Sequence, residues 1–139
     1  MLEKYLLHHY NVFMSLKKTI LVVEDDTALR LALTEKLTLS GFNALAAQDG
    51  QEGVNTALEK KPSLILMDLL MPEMDGATAM SFIRQDPWGS NVPIFILTNF
   101  DEDNKIFKNV AESNPTYYLI KAEISLDDIV TKITQYLNS

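Results

Sequence analysis

The sequence predicts an α/β fold with a parallel sheet and helices on both of its faces. Three observations predict it. Short apolar runs alternate five times with amphipathic stretches of helical spacing. The runs are continuously apolar, the mark of strands covered on both faces. Each run ends in polar or turn-forming residues before the next helix begins, the punctuation of repeated β-α units.

"TILVV" (Thr19–Val23) is the first strand. Asp26 and Thr27 open a helix carrying Leu29, Leu33 and Leu37 on one face. Gly41 follows it, where a left-handed residue is needed. "FNALAA" (Phe42–Ala47) is a second, weaker strand, and Gly50–Lys60 a helix with Val54, Ala57 and Leu58 inward. Pro62 blocks its continuation. "SLILMD" (Ser63–Asp68) is the third strand, followed by a helix over Gly76–Gln85 through Ala79, Met80 and Ile83. "PIFILT" (Pro93–Thr98) is the fourth, and Asp101–Ser113 is helical through Ile106, Phe107 and Val110. "YYLIK" (Tyr117–Lys121) is the fifth. Ser125 and Asp128 form a capping pair at the start of the last helix, whose apolar face is Leu126, Ile129, Val130, Ile133 and Leu137.

Composition removes several classes of function. The 139 residues suit one domain, and 47% of them are apolar, enough for a core. There is no cysteine, hence no disulfide framework and no thiolate metal site, which fits a cytoplasmic protein. The net charge of −7 repels phosphate backbones and argues against nucleic acid as a partner. No run approaches the ~18 apolar residues of a membrane helix, so no membrane partner is expected. "MLEKYLLHHYNVF" is no secretory signal, because His8 and His9 interrupt a short apolar stretch and no small-residue cleavage site follows.

A parallel sheet of this kind binds ligands beyond the carboxyl ends of its strands. The residues there are Glu24, Asp25 and Asp26 after the first strand, Asp68 after the third, Thr98 after the fourth and Lys121 after the fifth. Two carboxylates about 4 Å apart repel by about 4 kcal/mol at an effective dielectric near 20. A cation or a raised pKa must relieve this. All the ligands on offer are oxygens, so a hard cation such as Mg2+ fits best. Asp68 could then be both ligand and nucleophile, forming an aspartyl phosphate. Charge on the transferred group would be met by the metal, the Lys121 ammonium, the Thr98 hydroxyl and backbone N–H groups after Asp68. Pro72 and Gly76 would shape that loop.

"ILVVEDD", "LILMDLLMPEMDG", "IFILT" and "YYLIK", in this order at successive strand ends, resemble the receiver domain of two-component response regulators over roughly Lys17 to Leu137. The resemblance implies a flavodoxin-like (βα)5 three-layer sandwich with strand order 2-1-3-4-5. It makes Asp68 the phosphoacceptor, Asp25 the direct Mg2+ ligand and Glu24 the acid reaching the metal through water. The Leu70 carbonyl becomes the backbone metal ligand, and Thr98 and Lys121 the switch hydroxyl and phosphate-binding lysine. Tyr118 matches the aromatic that changes rotamer on activation. The donor would be a histidine kinase or a histidine phosphotransfer protein. A downstream protein would bind the face made by the helix at Asp101–Ser113, the strand at Tyr117–Lys121 and the last helix from Ser125. The chain would be a monomer or a phosphorylation-dependent dimer.

Departures from the family pattern carry expectations of their own. Ala122 stands where proline usually follows the lysine, and a cis bond before a non-proline residue costs about 3–4 kcal/mol, so the loop is expected to be trans or strained. Asn99 stands where the family usually has a small residue after the threonine, and Phe100 and Leu70, apolar at positions that influence dephosphorylation in the family, cannot orient an attacking water. A long-lived phosphoryl group is expected. Asn114 can supply the left-handed turn before the fifth strand.

Each site residue also has a plainer reading: Asp68 as a turn former, Glu24 and Asp25 as caps, Thr98 and Lys121 as surface groups, Tyr118 as a core aromatic. The joint occurrence of four ordered motifs outweighs these. Met67, Met71, Met74 and Met80 read as core and loop filler. Residues 1–16 form an N-terminal extension before the receiver domain of residues 17–139. They are expected to be a poorly ordered tail, although Leu2, Tyr5, Leu6 and Phe13 have roughly helical spacing. With two residues after Leu137, no output domain is expected and the signal would leave through another protein. The resemblance implies a signalling module and not an enzyme. A phosphatase of the haloacid dehalogenase type would need a second Asp where Leu70 stands, and no glycine-rich phosphate loop occurs. The rival reading is a phosphate-independent interaction domain of the same fold.

Overall fold

The five apolar runs pair into one parallel sheet. The computed structural model describes residues 1–99, 110 and 113–139, with the backbone alone for residues 11–15. The strands are β1 (Thr19–Val23), β2 (Asn43–Ala47), β3 (Leu64–Met67), β4 (Ile94–Thr98) and β5 (Tyr117–Ile120). They lie in the order β2-β1-β3-β4-β5, all pairs parallel. Strands 2 to 5 are one or two residues shorter than the runs that predict them. Pro93, for instance, lacks the N–H that would extend β4.

The helices are α1 (Leu2–Leu16), α2 (Thr27–Leu39), α3 (Gly50–Lys60), α4 (Gly76–Gln85) and α5 (Leu126–Leu137). Of the stretch expected to be helical at Asp101–Ser113, only Val110 and Ser113 are described, and Val110 is buried. Side chains alternate across the strands and divide the core in two. Leu21, Val23, Ile65, Met67, Ile94 and Ile96 pack on one face with Val54 and Ala57 of α3 and Ala79, Met80 and Ile83 of α4. Ile20, Val22, Leu64, Leu66, Phe95, Leu97 and Leu119 pack on the other with Leu33 and Leu37 of α2 and Ile129, Val130 and Ile133 of α5. Of the four methionines read as core and loop filler, Met67, Met71 and Met80 are buried, and Met74 packs partly buried against the first cluster.

Each sheet-packed helix starts on a side-chain cap. Asp26 accepts from the Leu29 N–H at 3.0 Å, Asp49 from Glu52 at 2.8 Å, Asp75 from Thr78 at 2.7 Å and Ser125 from Asp128 at 3.1 Å. Each cap satisfies a donor that the first helical turn leaves open. Asn114, at φ 52°, does take the left-handed turn before β5.

Leu2–Leu16 form α1. The stretch contains no glycine or proline and is rich in leucine, so its helical propensity is high. His9 stacks on Tyr5 one turn earlier, ring centroids 4.0 Å apart, which adds an i,i+4 contact. Residues 1–10 and Leu16 are exposed.

Candidate functional site

Strand register brings the polar residues to one rim. Val23 of β1 pairs with Met67 of β3, and Met67 with Ile96 of β4. The next residues out are Glu24 and Asp68, with Thr98 two places past Ile96 and level with Ile120 of β5. Lys121 follows Ile120 and opens a single 3-10 turn (Lys121–Glu123). Its bond to Ala122 is trans, and no cis bond occurs among the described residues.

The Lys121 ammonium donates to Glu24 Oε1 at 2.6 Å and to Asp68 Oδ2 at 3.2 Å. Glu24 and Asp68 are only 2% and 4% exposed. Asp68 Oδ1 accepts from the Leu70 N–H at 3.2 Å, which draws the following loop back over the carboxylate. Gly76 closes that loop, donating its N–H to the Leu69 carbonyl at 2.8 Å. A Cβ at Gly76 would lie 2.2 Å from the Asp68 carbonyl oxygen and 2.8 Å from the Leu69 Cα, so only glycine fits.

The electrostatics follow from burying two acids beside one base. Burial pushes the Glu24 carboxyl up to about 8, assisted by the neighbouring Asp68 carboxylate, while Lys121 pulls the other way. Burial alone would lower the Lys121 ammonium. Its hydrogen bond to Glu24 and the charges of Asp68 and Glu24 outweigh that, and the net direction is upward. A raised pKa is thus one answer to the crowding of these acids, and the Lys121 ammonium partly offsets their charge.

One ligand atom each from Glu24, Asp25 and Asp68 can be chosen so that all lie within 4.8 Å of one another. Asp25 is exposed at the mouth of this group. Glu24 Oε2 is buried and makes no hydrogen bond among the described residues. An orphaned carboxylate oxygen beside two further acids fits a hard cation, which would supply its missing partner.

A model of the response regulator receiver domain matches residues 20–134. The chain belongs to that family. This receiver is 32% identical over 122 residues to the response regulator protein VraR of Staphylococcus saprophyticus, covering 86% of this chain and 56% of that one. It is 30% identical over 116 residues to the phosphate regulon transcriptional regulatory protein PhoB of Pseudomonas aeruginosa, covering 83% and 45%. The receiver thus spans about half the length of these relatives. Among solved structures, the chemotaxis protein CheY4 of Vibrio cholerae superposes with a TM-score of 0.77 at 22% identity, over 86% of this chain and 98% of that one. A putative response regulator from Chloroflexus aurantiacus gives 0.76 at 26% identity, over 88% and 99%. No described helix is long and apolar enough to cross a membrane.

Thr98 is fully buried, and its hydroxyl reaches the Asn99 carbonyl at 3.5 Å. Tyr118 is 36% exposed on β5. Leu70 is half-buried, and Phe100 lies outside the described residues. Sequence reasoning missed Arg30. From the first turns of α2 its guanidinium donates to the carbonyls of Glu24 at 2.7 Å and Asp25 at 3.3 Å, fixing the acidic turn from below. It also missed Arg84, whose half-buried guanidinium donates to the carbonyls of Ser113, Gly89, Val92 and Asn114 at 2.6–3.0 Å. Neither has a sequence signal, because both partners are backbone oxygens.

Proposed function

We propose that this chain takes a phosphoryl group onto Asp68 from the phosphohistidine of a histidine kinase or phosphotransfer protein, in a Mg2+-dependent reaction. The observation that carries the reading is the Lys121 ammonium bridging Asp68 at 3.2 Å and Glu24 at 2.6 Å within an otherwise acidic, buried rim. An Asp68 oxygen attacks phosphorus, the P–N bond breaks, and the imidazole leaves with its electron pair. The Lys121 ammonium stays within reach of the transferred oxygens and meets part of their charge. The Leu70 N–H, already held at Asp68 Oδ1, is a second donor on the same side. Glu24, Asp25, Asp68 and the Leu70 carbonyl would hold the cation, which neutralises charge shared by carboxylates and phosphate.

Thr98 is assigned the hydroxyl that turns to the phosphoryl group, and Tyr118 the aromatic that follows it. Output passes through the face containing β5 and α5 to a protein target. The chain acts as a switch and turns over no separate substrate. We assign residues 1–16 to an extension and residues 17–139 to the receiver itself.

The test is intact-mass spectrometry after incubation with acetyl phosphate and Mg2+, beside Asp68→Asn. One phosphoryl group gained by wild type alone is expected. No gain with acetyl phosphate, and no change in Trp88 fluorescence with beryllofluoride and Mg2+, would replace this reading with the phosphate-independent interaction domain.

A further inference from the structure

We infer that α1 is a self-association helix, and that its partner is α1 of a second copy of this chain, packed antiparallel. Leu2, Tyr5, Leu6, Leu7, Tyr10 and Leu16 are each 56–77% exposed. A helix of 15 residues is about 22 Å long and marginal in water by itself. Its apolar surface needs cover that the rest of the chain leaves unsupplied at these side chains.

The pattern selects the kind of cover. At about 100° per residue, Leu2, Tyr5, Leu6 and Leu16 fall within an arc of about 100°, the width of a helix-pairing seam. His9 lies at the middle of that arc, its ring stacked on Tyr5 and its Nδ1 3.0 Å from the Tyr5 carbonyl. One polar side chain within an apolar seam fixes pairing register at some cost in stability. Antiparallel pairing centred on His9 sets Leu2 of one copy opposite Leu16 of the other. A lipid surface would instead favour a strongly charged opposite face. On α1 that face carries Leu7 and Lys4 among the described residues, with His8 at its edge, so a single full charge lies there.

Charge selects the direction. Residues 19–139 hold nine basic against 18 acidic residues, a net charge of −9. Parallel pairing would bring two such bodies together, along with both Lys17–Lys18 pairs. Antiparallel pairing separates the bodies by the length of the helix and brings Glu3 of each copy toward Lys17 and Lys18 of the other. A single pair of short helices offers less than the roughly 1,200 Å² of a standard interface, so the dimer is weak and concentration-dependent.

The chain has no cysteine, so an introduced one reports alone. Full-length Leu2→Cys and Leu16→Cys chains, unphosphorylated, are mixed under mild oxidation. The mixed disulfide is expected to exceed either homodimer several-fold. Sedimentation equilibrium of the unmodified chain should show a monomer–dimer equilibrium, and Leu6→Glu should weaken it by ~tenfold or more while the receiver unfolds at the same temperature. Preferential Leu2→Cys homodimers would overturn the antiparallel arrangement. A chain that stays monomeric at every concentration, a dimer indifferent to Leu6→Glu, or a monomer that binds neutral or anionic vesicles through α1 would overturn the inference itself.

Discussion

Replacing Glu24 by glutamine should make the metal-free protein more stable at pH 8 while removing its response to Mg2+. Glu24 is 2% exposed, and its carboxyl is pushed from 4.5 to about 8 by burial, then by Asp68. A raised carboxyl pKa means the folded state holds a proton that the unfolded state has lost between those two values. Stability is therefore fully present below pH 4.5 and declines as pH rises toward 8. At about 1.4 kcal/mol per pK unit the ceiling is about 5 kcal/mol. Relaxation of a buried charge brings the expectation to roughly 2–3 kcal/mol. Glutamine keeps an oxygen for the Lys121 ammonium and cannot ionise.

The assay is thermal unfolding of both proteins between pH 5 and pH 8, in EDTA and in excess Mg2+. Wild type in EDTA should lose roughly 2–3 kcal/mol more than Glu24→Gln across that range, or about 6–12 °C at roughly 3–4 °C per kcal/mol for a domain of this size. Added Mg2+ should restore wild type at pH 8 and leave Glu24→Gln nearly unchanged, because the cation supplies the partner that Glu24 Oε2 lacks. Parallel pH profiles in EDTA, or an equal Mg2+ effect on both proteins, would refute this account of the site.

Two further predictions concern the loop after Asp68. Gly76→Ala forces a Cβ into the Asp68 carbonyl at 2.2 Å, and the backbone must move. It should cost ~1–3 kcal/mol in denaturant unfolding and slow phosphoryl uptake, and a neutral result would show that the loop is more yielding than its packing. The phosphoryl group itself should persist for minutes or longer in Mg2+ without a phosphatase, timed by mass spectrometry, and Leu70→Gln should shorten its lifetime. Loss within seconds in wild type would show that a water is oriented by groups other than these side chains.

Much of the architecture was legible in the chain because the strands are apolar on both faces. TILVV and LILM can satisfy that pattern only inside a layered sheet, so element identity and rim membership followed from sequence. The caps at Asp26 and Ser125 and the left-handed turns at Gly41 and Asn114 were equally local, each set by the chemistry of a few neighbouring residues. The site residues were legible as a set because each ends a strand. Their division of labour was not. The sequence cannot show that Lys121 bridges Glu24 and Asp68, or that Glu24 is the acid left with an unpartnered oxygen. Those facts depend on separations of 97 and 53 residues closed by the sheet.

Tertiary structure also decided what backbone oxygens recruit. Arg30 and Arg84 are invisible to motif reasoning because a carbonyl has no residue identity, and only folding brings it within reach of a guanidinium. The helix propensity of the N-terminal segment is local, carried by its leucines and its lack of glycine and proline. The sequence alone determined the sheet, its rim and the acid that accepts phosphate in our reading. Which oxygen is paired, which is orphaned and which helix face stands uncovered depended on three-dimensional proximity, because ionic and packing energies act across space and not along the chain.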